Sequence, residues 1–212
     1  MDCEKGHFLA DQRLAVNAIY ATSAIFEALL INLLLAGTLK FERIVVIRPP
    51  VTPTMPPPAN INDICDYIIR SMNEAGERPS VLKMQKLLYY CQAWHLAIFK
   101  VPLFQSEFQA WVRGPVSREV YDRFISKTMF APLEEADIRP EFANVAIPED
   151  ARKLVDQVLE TYGKYSDTQL AELTHRERPW IEARGGIAPQ ARCATVISES
   201  TMHETYAARI PS

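Results

Sequence analysis

The stretch that decides the fold runs from Pro79 to Tyr121, PSVLKMQKLLYYCQAWHLAIFKVPLFQSEFQAWVRGPVSREVY. In its first half Leu82, Met84, Leu87, Leu88, Cys91, His95, Ile98 and Phe99 recur at three- and four-residue steps, the spacing of one broad apolar stripe on a helix. Such a stripe must find a partner surface. Lys83, Lys86, Gln92 and Lys100 fall mostly off it. Pro79 bars helix before it, Ser80 can cap the first free amides, and Pro102 stops the run.

From Glu107 to Arg113 the period changes. Phe108, Ala110 and Val112 alternate with Glu107, Gln109, Trp111 and Arg113, as in a half-buried strand. Gly114-Pro115 ends it, and Ser117 can cap a helix whose Val120, Tyr121, Phe124 and Ile125 form a second apolar stripe. The centre therefore reads as helix, strand, turn, helix.

Working outward, the 60–74 stretch reads as a helix with Ile61, Ile64, Cys65, Ile68, Ile69 and Met72 on one face, closed by Gly76. Residues 127–147 are irregular, with an acidic patch at Glu134, Glu135 and Asp137, and could hide a strand pairing with 107–113. Pro148-Glu149-Asp150 opens a further helix with Leu154, Val155, Val158, Leu159 and Tyr162 inward, ended by Gly163. Ser166 and Gln169 have capping-box spacing for the next, which carries Leu170 and Leu173 inward and finishes near His175. Pro179 starts a short turn bearing Trp180 and Ile181, broken by Gly185-Gly186, and the tail 187–212 holds at most one weak helix at 198–208. The expected fold is mainly α, with about five to six helices and one short strand or small β-hairpin.

Ahead of this lies a different kind of sequence. Residues 14–37 are apolar enough in length for a membrane span, but Glu27, Asn17 and Asn32 interrupt them, and a central acidic residue costs roughly 2.5–3.5 kcal/mol on insertion. A buried or partner-bound helix, followed by a strand-like run at 41–48, is the alternative. Six prolines in 49–58 make a stiff spacer, so the chain divides into an extension 1–48, a linker 49–58, a helical domain 59–186 and the tail.

Across 212 residues, 48% hydrophobic and 23% charged composition is globular in type, and a net charge of −3 argues against a chain built to neutralise phosphates. Cys3, Cys65, Cys91 and Cys193 have no CxxC spacing, which speaks against zinc or a disulfide framework and suits a reducing, cytoplasmic setting. His7, His95, His175 and His203 show no HxxxH or HExxH spacing, and the chain has no GxGxxG, P-loop or GxSxG. No catalytic residue, metal site or cofactor is therefore expected.

The runs MQKLLYYCQAWHLAIF, Pro102-Leu103-Phe104, FQAWVRGPVSREVY and LAELTHRERPW, in that order, resemble the Panacea domain, the SocA-like antitoxin family that includes the phage-associated GepA-type proteins. The resemblance covers roughly residues 60–184. It implies an antitoxin that neutralises a cognate toxin by direct contact and, in some members, an adaptor that delivers the toxin to a protease. It also implies a third reading of residues 1–58, an over-extended start, because family members begin shortly before the first core helix and Met55 lies there.

For a partner surface the candidates are Trp111, Arg113, Gly114, Pro115, Tyr121, His175, Arg178 and Trp180. Trp and Arg carry interface energy more than other residues do, and Arg118 and Arg123 stand close by on the next helix. The blander reading makes Trp111 a cover for the core and the arginines solvated. His175, at a helix C-terminus, has a structural reason as well, because the dipole there favours its charged form. His95 reads as a packed histidine. Two other classes stay in view: an enzyme or ligand-binding domain with a pocket at His95 and His175, and a DNA-binding regulator, which fits poorly because a strand separates the central helices. Nucleic acid is not an evident partner, and membrane contact would have to come through 14–37.

Overall fold

A computed structural model of the chain describes residues 58–188 and 190–210. The readings placed on 1–57, including the apolar 14–37 segment and nearly all of the proline-rich linker, lie outside these residues. The described part is mainly α, with a two-stranded antiparallel hairpin and seven α-helices, more than the five to six expected.

Helix α1 (Ile61–Glu74) buries Ile61, Ile64, Cys65, Ile68, Ile69 and Met72, the face that its spacing marks, and Asn60 caps it by accepting from the Asn62 amide at 2.8 Å. The organising element is α2 (Val81–Phe99). Ser80 caps it by accepting from Lys83 N at 3.0 Å, and Lys100 leaves it in a left-handed conformation (φ 61°), two residues before Pro102.

α2 corrects the one-stripe reading. It is buried from Val81 to Ala97 on every side, so Lys83, Lys86 and Gln92, which fall off the stripe, are inside the protein with it. The reason is its position: α1, the hairpin and four later helices all pack against it. A helix with no solvent face must satisfy its polar residues internally. Gln92 does so by accepting from Leu103 N at 2.9 Å and donating to Phe104 O at 3.1 Å, and Gln85 accepts from Ser117 N at 2.8 Å.

The hairpin pairs β1 (Phe108–Trp111) with β2 (Gly114–Ser117), Phe108 opposite Ser117 and Trp111 opposite Gly114. Gly114-Pro115 thus opens the second strand, whereas the sequence pattern has it end the first. Strand β1 takes its other neighbour from the tail, since Ala110 N donates to Thr195 O at 2.9 Å and Ile197 N to Phe108 O at 2.7 Å. The 127–147 region supplies no strand to β1; it bridges back to Ser80 through Pro132 and holds two short 3-10 turns, Glu135–Asp137 and Pro140–Asn144.

Helix α3 (Arg118–Arg123) follows β2 directly, with Ser117 as its cap. It stops before the end of its expected stripe: Val120 and Phe124 are buried, but Ile125 lies past its C-terminus and is 64% exposed. Next come α4 (Glu149–Tyr162), α5 (Asp167–His175) with the Ser166/Gln169 capping box in place, and α6 (Arg178–Arg184). Last is α7 (Glu199–Ala207), whose Tyr206 is enclosed by Tyr89, Tyr90 and Trp94 at ring distances of 6.4, 6.3 and 5.2 Å.

One ionic cluster ties the front of the domain together. Asp66, fully buried on α1, receives the guanidinium of Arg123 and that of Arg139, the latter at 2.7 Å, and Arg139 also reaches Asp63 at 2.5 Å. Two cations on one buried carboxylate, each with further partners, form a satisfied network.

Candidate functional site

The outer face of the hairpin, α3 and the returning tail enclose a groove of about 800 Å3. Its walls bring together Trp111, Arg113 and Tyr121, three of the residues singled out by the sequence, and Arg118 beside them. Trp111 and Tyr121 meet edge to face at 4.9 Å, and the Trp111 indole N–H donates to Gln109 Oε1 at 2.8 Å, which holds the ring in place. Arg118 lies over Tyr121 at 5.4 Å and pairs with Asp122 at 2.9 Å.

The other five candidates are not in these walls. Gly114, Pro115 and Trp180 are buried and shape the groove from beneath. Gly114 has φ 96°, and a Cβ there would sit 2.7 Å from Lys86 Cε and 2.7 Å from Thr174 Oγ1, so both the backbone angle and the space demand glycine. The Pro115 carbonyl accepts a hydrogen bond of 2.7 Å from the fully buried ammonium of Lys86, so the turn is pinned to α2. Trp180 donates from Nε1 to Trp111 O at 3.0 Å, which places α6 directly behind the aromatic wall.

His175 packs on Trp180 with ring centres 4.2 Å apart. Burial and the nearby cations Lys86 and Arg184 hold its pKa below the ordinary histidine value, so the charged form suggested by its helix-end position is disfavoured. Desolvation and positive charge on two neighbours outweigh the helix dipole. Arg178 is exposed and is engaged with Glu182 at 2.5 Å and Glu204 at 3.0 Å. His95 is in a separate place, its Nδ1 2.7 Å from Val101 O and its ring 4.6 Å from Phe99. Burial lowers its pKa also. The two histidines therefore belong to different clusters, and neither lines the groove.

The sequence reading missed Lys86, Ile125, Met129, Arg192 and Cys193 at or under this site. A helix with aromatic and aliphatic residues at nearly every position was the available signal for Lys86, because such a helix is enclosed all round. Nothing local signals that Arg192 returns to the groove. Among the described residues no group of His, Cys, Asp and Glu is placed to hold a metal ion, and no helix is long and apolar enough to cross a membrane.

These features define a mainly helical domain with a small hairpin and an open groove walled by Trp, Tyr and Arg. Residues 84–181 match the family described as antitoxin SocA-like, Panacea domain, so this stretch of the chain is similar to that domain. The match begins inside α2 and ends inside α6, and it takes in the whole hairpin. No curated protein and no solved structure matches the chain.

Proposed function

We infer that this chain is the antitoxin of a toxin-antitoxin pair and neutralises its toxin by direct protein contact, through the groove at the hairpin and α3. The observation that carries this is the match of residues 84–181 to an antitoxin-like family. The groove supports it, since Trp111, Tyr121 and Arg113 combine ring surface and guanidinium, the side chains that dominate protein interfaces. Trp111 and Arg113 stand on a hairpin braced from below by Lys86 and Trp180, and Tyr121 on the helix that follows it directly, so little ordering is needed on contact.

The test is a growth assay with the product of the neighbouring gene. That product alone should arrest growth, co-expression of this chain should restore it, and the double variant Trp111→Ala, Arg113→Glu should restore it poorly. An arrest that this chain leaves unrelieved would overturn the reading.

A further inference from the structure

The groove has a charge character opposite to that of the chain as a whole. The molecule carries a net charge of −3, yet among the described residues the groove is lined by Arg113, Arg118 and Arg192 and by no Asp or Glu. Arg118 is neutralised by Asp122. Arg113 is exposed and lies over the Phe130 ring at 5.3 Å, and Arg192 is exposed too; among the described residues neither has a carboxylate within ion-pair distance. Two cations at the rim of a groove in an acidic protein thus lack counter-charges within the described domain.

Between them the floor and rim are apolar. Trp111, Tyr121, Met129 and Ile125, the last 64% exposed, line the groove, and Phe130, 58% exposed, lies beside it against Arg113. Large apolar side chains concentrated at one place mark a contact surface better than the same residues scattered.

We propose that the groove binds a short acidic segment of a protein partner, one that carries a large apolar side chain between carboxylates. The apolar side chain seats against Trp111, Tyr121 and Met129, and the flanking carboxylates reach Arg113 and Arg192. A planar guanidinium donates two parallel N–H bonds to one carboxylate, which gives orientation as well as attraction. The identity of that partner as the toxin rests on the proposed function; the chemistry of the segment does not.

The experiment is selection of short random peptides displayed on phage against the whole purified chain, with fluorescence anisotropy of the selected peptides. Selected sequences should pair Asp or Glu with Trp, Phe or Leu. Binding should weaken about tenfold or more in Arg113→Glu, Arg192→Glu, as expected for reversed charge at an interface, and should weaken by less in Arg113→Lys, Arg192→Lys, which keep the charge but lose the two-point geometry. Both sites are exposed, so folding is preserved, and circular dichroism confirms it. Basic or uncharged selected peptides, or binding indifferent to charge reversal, would overturn the proposal. So would an oligonucleotide that binds the same arginines more tightly than the peptides, or a dimer of this chain dissociated by the charge-reversed variant. Acidic peptides bound at the groove alongside unrelieved growth arrest would sink the antitoxin reading alone; growth rescue by a chain whose selected peptides are not acidic, or ignore the two arginines, would sink this proposal alone.

Discussion

Replacing Lys86 by Met should change the way stability depends on pH. Lys86 is fully enclosed on α2, and its ammonium donates to the Pro115 carbonyl at 2.7 Å. Burial pushes its pKa from 10.5 down to about 7, with Asp167 opposing only in part. The unfolded chain keeps that amine protonated until about pH 10. Above pH 7 the unfolded state therefore binds more protons than the folded one, and stability rises with pH; below 7 both states are protonated and the full cost of the buried charge is present. One proton's difference in binding is worth about 1.4 kcal/mol for each step of one in pH, so the gain from pH 7 to roughly 8.5 is about 1–2 kcal/mol. The buried thiols Cys65 and Cys91, pushed up by burial, act in the opposite sense as unfolded thiols ionise near the upper end of this window. Comparison with Lys86→Met cancels them, since Met is unbranched and of similar reach. Urea unfolding at stepped pH should show the wild-type curve rising relative to the variant. Removing the amine also strands the Pro115 carbonyl, a cost of about 1–3 kcal/mol, but that offset is the same at every pH. Parallel curves over the window would refute the argument that an enclosed, costly ammonium holds the turn.

Three further outcomes follow from the same packing. Gly114→Ala meets both a positive φ and contacts of 2.7 Å and should lose about 2–4 kcal/mol, whereas Gly76→Ala, with φ 80° and open space, should lose about 1 kcal/mol; thermal melts of the pair compare them. Asp66→Ala leaves Arg123 and Arg139 without their shared carboxylate and should cost about 3 kcal/mol, read by urea midpoint. Truncation after Gly186 removes the 195–197 pairing to β1 and the Tyr206 ring from the centre of the aromatic cluster, so the shortened chain should lose its cooperative melt by circular dichroism.

Helices α1, α2, α4 and α5 were legible because they are local properties: apolar residues at helical spacing, with Ser80 and Ser166 at the starts of two of them and Ser117 at the start of α3. What escaped was set by distant chain. Lys86 and Gln92 look like solvent residues until Pro115 and the 103–104 backbone arrive to satisfy them. Strand β2, four residues buried throughout, shows no alternation to read. Ile125 fell off its stripe because α3 ends at Arg123, whose guanidinium turns inward to Asp66. Of the candidate site, the aromatic and arginine half was visible in WVRGPV, since those residue types advertise contact. Arg192 was not, because the tail's hydrogen bonds to β1 and the Arg184 guanidinium, which donates to Ala191 O at 2.9 Å and to Ala110 O at 3.1 Å, bring it there.

The most direct measurement is calorimetric titration of the purified chain with the product of the neighbouring gene, the proposed toxin. A saturable, stoichiometric complex is expected, weakened about tenfold or more by Trp111→Ala, Arg113→Glu. Absence of a complex, or an affinity that the double variant leaves unchanged, would contradict recognition through this groove.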